Sequence, residues 1–73
     1  MMSDSQSRAA LKKLLADHVD KSKPSFESLV EIIEDSSRQV PIRGVLEYIG
    51  SEGDGNFTKD ELSVIEELIY MYG

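Results

Sequence analysis

Gly50-Ser51-Glu52-Gly53-Asp54-Gly55-Asn56-Phe57-Thr58-Lys59-Asp60-Glu61-Leu62 lies between two apolar helical patterns. It holds the densest cluster of oxygen-bearing side chains and three of the five glycines in the chain. Asp-Gly followed by Asn favours a turn, because these residues bond their own backbone or relieve its sterics. Ahead of the stretch, Ile42, Val45, Leu46 and Ile49 recur at helical spacing. Behind it, Leu62, Ile65 and Ile69 do the same. The local expectation is two amphipathic helices joined by a polar loop.

With Glu61 placed last in a twelve-residue loop, Asp54 falls at position 5, Gly55 at 6, Asn56 at 7 and Thr58 at 9. Glu52 occupies position 3, Phe57 the apolar position 8, and Gly50 position 1, where an aspartate normally stands. From Val40 to Tyr72 the chain therefore resembles the EF-hand family. The resemblance implies a helix–loop–helix that ligates calcium and works in pairs. It would take the side chains of Glu52, Asp54, Thr58 (through water) and Glu61, with the main-chain carbonyls of Gly50 and Asn56. Glu61 would be the bidentate, decisive ligand. Without a carboxylate at position 1, binding is expected at the weak end of the family's range, and magnesium suits such a loop less well.

The same letters support a metal-free reading. Thr58 followed three residues later by Glu61 is a capping box, and Asp60 and Glu61 suit the positive end of a helix dipole. Asp54-Gly55-Asn56-Phe57-Thr58-Lys59-Asp60-Glu61 is also similar to the loop of all-helical tellurite-resistance TerB-like domains. Both readings stay open on the sequence.

Seventy-three residues make one small domain, near the size at which a single core is barely sufficient. The periodicity leaves residues 1–6 as a polar, disordered N-terminus and 7–73 as a single helical domain. A first helix starts at Ser7, with Ala10, Leu11, Leu14, Leu15 and either His18 or Val19 inward and Arg8, Lys12 and Lys13 on the wet face. Pro24 breaks the chain, and Ser25 is placed to cap a second helix lined by Phe26, Leu29, Val30, Ile32 and Ile33. Pro41 suits the first turn of a third helix running to about Ile49. A fourth begins near Thr58. The expected class is all-α: four short helices in two helix–loop–helix halves, either an EF-hand-like pair or a compact bundle.

With no cysteine, disulfides and thiolate metal sites are excluded. No apolar run reaches membrane-spanning length and no signal peptide is legible, so a cytoplasmic protein without membrane contact is expected. The net charge of −6 argues against direct nucleic-acid binding. Residues 1–23 carry five bases and three acids, whereas residues 24–73 carry three bases and eleven acids. That asymmetry allows head-to-tail homodimers or docking on a basic protein partner. The acidic series for such docking is Glu27, Glu31, Glu34, Asp35, Glu47, Glu66 and Glu67.

His18, the sole histidine, has no Cys/His companion for a zinc site and is placed at the end of the first helix. Ser28 follows Glu27, where an acyl carrier protein would have aspartate, and is read as a surface serine. Tyr70 and a neighbour are expected to close the core against the first helix. No catalytic grouping is legible. The two function classes are a weakly calcium-binding EF-hand-like protein acting through protein contacts, and a metal-free acidic adaptor or inhibitor.

Overall fold

In the computed structural model, which describes residues 2–73, four helices follow one another: α1 Asp4–His18, α2 Phe26–Glu34, α3 Ile42–Glu52 and α4 Lys59–Tyr72. There is no strand among the described residues. The chain is a small all-α bundle, and none of its described helices is long and apolar enough to cross a membrane.

Helix α1 is the centre of the bundle. It packs against each of the other three helices, and α3 packs in addition against α4. Its Leu11, Leu14 and Leu15 are buried together with Ile33 of α2, Ile42, Val45 and Ile49 of α3, and Ile65 and Leu68 of α4. Val19, Phe26 and Val40 seal the connections between helices.

The helix ends differ from the sequence expectation for local reasons. α1 starts three residues before Ser7 because Ser3 and Gln6 form a capping box. The Gln6 N–H donates to Ser3 Oγ at 3.1 Å, and the Ser3 N–H donates to Gln6 Oε1 at 2.9 Å. α2 begins after Ser25 as expected, but the Ser25 side chain makes no capping bond. α3 continues through Gly50, Ser51 and Glu52 to end three residues beyond Ile49. α4 opens at the expected Thr58–Glu61 capping box.

Arg8 was expected on the wet face and is instead buried, at 7% exposure. Its Nε donates to Asp4 Oδ2 at 2.8 Å and its Nη1 to the Ile33 carbonyl at 2.7 Å, while Nη2 donates to the carbonyl of Arg38. A helix leaves its last carbonyls without intrahelical donors. Arg8 supplies donors to the end of α2 and to the loop after it, and every described buried side-chain polar atom has a partner.

At the far end of the bundle Tyr72, not Tyr70, closes against α1. The Tyr72 hydroxyl lies 3.3 Å from the Oγ of fully buried Ser7, whereas Tyr70 is 82% exposed. Leu62 and Ile69, read as part of the apolar face, are 47% and 40% exposed, and Ile65 and Leu68 carry the burial instead.

Two glycines inside α3 have no steric reason to be glycine: a methyl group added at Gly44 or Gly50 meets nothing within 4 Å. Alanine at each should raise stability by about 0.5–1 kcal/mol, because glycine costs more backbone entropy in a helix. Urea denaturation of Gly44→Ala and Gly50→Ala checks this as a higher midpoint with unchanged slope.

Candidate functional site

The segment that joins α3 to α4 is short, residues 53–58. At its start the Gly53 N–H donates to the Ile49 carbonyl at 3.0 Å, ending α3. The Asp54 N–H then crosses to the other half of the molecule and donates to the His18 carbonyl at 2.8 Å, satisfying an orphan acceptor at the end of α1. Asp54 Oδ1 accepts from the Asn56 N–H at 2.9 Å, an Asx turn. The Glu61 N–H donates to Thr58 Oγ1 at 3.1 Å, and the Thr58 N–H donates to Glu61 Oε1 at 2.8 Å.

His18 ties these pieces together. Its side chain is only 8% exposed and lies against the Phe57 ring, with centroids 4.6 Å apart and planes tilted by 56°. One ring nitrogen, Nδ1, is 2.6 Å from the Asp54 carbonyl oxygen, and the other, Nε2, is 2.8 Å from Glu61 Oε2. A carbonyl can only accept, and so can an ionised carboxylate. The geometry is fully satisfied by the imidazolium, in which both ring nitrogens donate. Burial alone would lower its pKa, but the Glu61 carboxylate and the Asp54 carbonyl outweigh it and hold the pKa above the ordinary 6.5. In return the Glu61 carboxyl is held below its usual 4.5, first by the Thr58 N–H and then by His18. The result is a latch from the end of α1 to the start of α4, spanning 43 positions of sequence.

The sign of the pH dependence follows from these directions. The folded pKa of His18 lies above the unfolded 6.5, so its contribution is complete below 6.5 and is lost as pH rises through the folded value. The Glu61 contribution is complete above 4.5 and is lost as pH falls through its lower folded pKa. Between those limits the latch is strongest. Glu61 and Asp54 are the acids that act on the ring, and Lys13 lies within the field of Glu61. The expected result is a denaturation midpoint that falls from pH 6 to pH 9 in the native chain, with that fall much reduced in His18→Gln.

The six positions that the EF-hand resemblance picks out are spread over the end of α3, the loop and the start of α4. Gly50 and Glu52 belong to the last turn of α3. Asp54 Oδ1 and Thr58 Oγ1 accept backbone N–H groups, and both Glu61 oxygens are engaged by Thr58 and His18. Asn56 is exposed. Among the described residues no group of three or more His, Asp or Glu side chains is placed to hold a metal ion. As built, the loop caps α4 and binds it to α1.

Beside the latch, residues of α1 and of the start of α4 line a groove of about 410 Å³. Its floor is Ala10, Leu14 and Val64. Lys13 and Asp17 line it from α1, and Thr58, Asp60 and Glu61 from α4. The sequence reading assigned no role to the groove or to the His18–Glu61 contact. A single histidine far along the chain from its carboxylate partner leaves no spacing signal; the legible hint was the placement of His18 at a helix end.

No protein-family model, no curated protein and no solved structure matches this chain.

Proposed function

We propose that the chain is a metal-independent, acidic helical docking module that binds a basic surface of a partner protein. The observation that carries this reading is the way its charges are paired. Arg8 is bonded to Asp4, Lys12 to Glu34, Lys13 to Asp17 and Arg38 to Asp35. Arg43 donates to the Gly73 carbonyl. Half of the bases are thereby paired with acids, while Glu27, Glu31, Glu47, Asp60 and Glu66 stand exposed on α2, α3 and α4 without a cation among the described residues. A surface with that residue of negative charge attracts basic partners and repels phosphate backbones.

Metal independence rests on the engagement of Glu61, Thr58 and Asp54 described above. Asp54 Oδ1, Thr58 Oγ1 and both Glu61 oxygens already accept hydrogen bonds, so a calcium ion would have to displace several of them and the latch.

The test uses two capped, helix-forming peptides of matched apolar content, one of Leu and Lys and one of Leu and Glu. The expected result is saturable binding of the Leu/Lys peptide that weakens at least ~10-fold between about 0.05 and 0.5 M salt, since exposed charge pairs are screened. The Leu/Glu peptide should not bind. Equal binding of both peptides, or of neither, would overturn the reading.

A further inference from the structure

We infer that the groove between α1 and α4 is the docking site, and that its occupant is a basic amphipathic segment of a partner protein. In the bound form an apolar side chain rests on Ala10, Leu14 and Val64, and a neighbouring Lys or Arg pairs with Asp60. This inference rests on the docking function proposed above and places it on the molecule.

The groove is the concavity that offers both halves of such a contact. Its volume, about 410 Å³, is in the roughly 300–1,000 Å³ range of ligand-binding clefts, here suited to a few side chains. Leu14 is buried at its base, and Ala10 and Val64 are half-buried, so apolar surface remains open to a ligand. The charges around the rim are not equivalent. Lys13 is held by Asp17 at 2.8 Å, and Glu61 is held by His18 at 2.8 Å. Asp60 is exposed and has no hydrogen bond or ion pair among the described residues. The uncommitted charge of the groove is thus a carboxylate, and it selects a cation.

The latch keeps the groove in shape. Glu61 is part of the groove wall, and its bond to His18 fixes the start of α4 relative to the end of α1. The competing surfaces fit a basic segment less well. The depression between α1 and α2 is bordered by Arg8, Lys12 and Glu34, all in ion pairs or hydrogen bonds already. The depression over the start of α3 presents Arg43, a charge of the wrong sign. The outer face of α4 exposes Leu62, Ile69 and Tyr70, none of which lines this groove, and Lys59 stands exposed at the start of the same helix.

The experiment is an NMR titration of the ¹⁵N-labelled full chain with the Leu/Lys peptide, repeated on Asp60→Lys, Val64→Lys and the paired control Leu62→Ser/Tyr70→Ser. Amide spectra of each variant before titration establish that it is folded. The expected result is shifts centred on Ala10, Leu14, Asp60 and Val64, at least ~10-fold weaker binding in Asp60→Lys and in Val64→Lys, and less than twofold change in the control. Full affinity in both groove variants, with loss in the control or in Glu27→Lys/Glu31→Lys, would overturn the groove assignment while leaving acidic docking in place. Failure of the native chain to bind the peptide would overturn both.

Discussion

Gly53→Ala should destabilise the fold by about 2–4 kcal/mol, in the range of overpacked sites where nothing can yield. A methyl group at that position would sit 2.3 Å from the His18 carbonyl oxygen, 2.6 Å from Val19 Cγ2 and 3.1 Å from the His18 carbonyl carbon. Two of these three atoms are backbone. The carbonyl cannot retreat easily, because it accepts the Asp54 N–H at 2.8 Å. Moving it would also disturb the ring that joins Asp54 to Glu61. The reason for glycine here is close approach of two backbones and not a left-handed conformation, as φ is −136°. For a domain of this size the loss corresponds to a fall in Tm of roughly 10–25 °C. Thermal denaturation followed by circular dichroism measures it, with Gly50→Ala three positions earlier as the contrast of opposite sign.

Arg8→Met should produce a loss of similar size, about 3–5 kcal/mol, as happens when one member of a buried polar network is removed. Methionine keeps much of the apolar stem but leaves the carbonyls of Ile33 and Arg38 without their guanidinium donors. The ion pair with Asp4 is the minor part of the effect. Asp4 is 57% exposed, and an exposed pair contributes about 0–1 kcal/mol. Asp4→Asn is therefore expected to lose less than about 1 kcal/mol. Chemical denaturation of the two variants separates the roles: comparable losses would show that the carboxylate, not the carbonyls, is what Arg8 serves.

Both large effects arise at places that the sequence patterns did not reveal. Periodicity located all four helices, because the apolar residues that fill the core do recur at helical spacing: Leu11, Leu14 and Leu15 in α1, Ile42, Val45 and Ile49 in α3. The Thr58–Glu61 capping box was legible for the same reason, being a local rule with a fixed offset. Periodicity also assigned Arg8 to solvent, since an arginine beside a lysine-rich face is normally wet. Its burial depends on carbonyls 25 and 30 positions away. Tyr70 is expected to close the core with a neighbour, but which residue at a helix end turns inward is settled by what lies opposite, here Ser7 against Tyr72.

The candidate site was legible in its residues but not in its wiring. The sequence singles out Asp54, Thr58 and Glu61 as oxygen ligands; in the structure Thr58 and Glu61 bond each other, while Asp54 Oδ1 accepts the Asn56 N–H. Their partners were the unreadable part. Glu61 meets His18 across the bundle, and Gly50 and Glu52 fall inside α3 because nothing in Gly50-Ser51-Glu52 stops that helix before Gly53. A twelve-residue register counts positions and takes no account of where a helix ends. The groove over Ala10, Leu14 and Val64 has no sequence signature, because it is defined by a gap between two helices.

The central claim is that this loop joins α1 to α4 through His18 and Glu61 and does so without metal. The most direct measurement is a calcium titration of the metal-free, ¹⁵N-labelled chain, with Glu61→Gln as the companion variant. A folded spectrum is expected before any addition, with no saturable shift at Gly55 or Asn56 at millimolar calcium. Glu61→Gln should perturb the His18 ring resonances and lower the ring's pKa without calcium. Saturable calcium shifts centred on Gly55 and Asn56, lost in Glu61→Gln, would contradict the claim and establish the loop as a working calcium site.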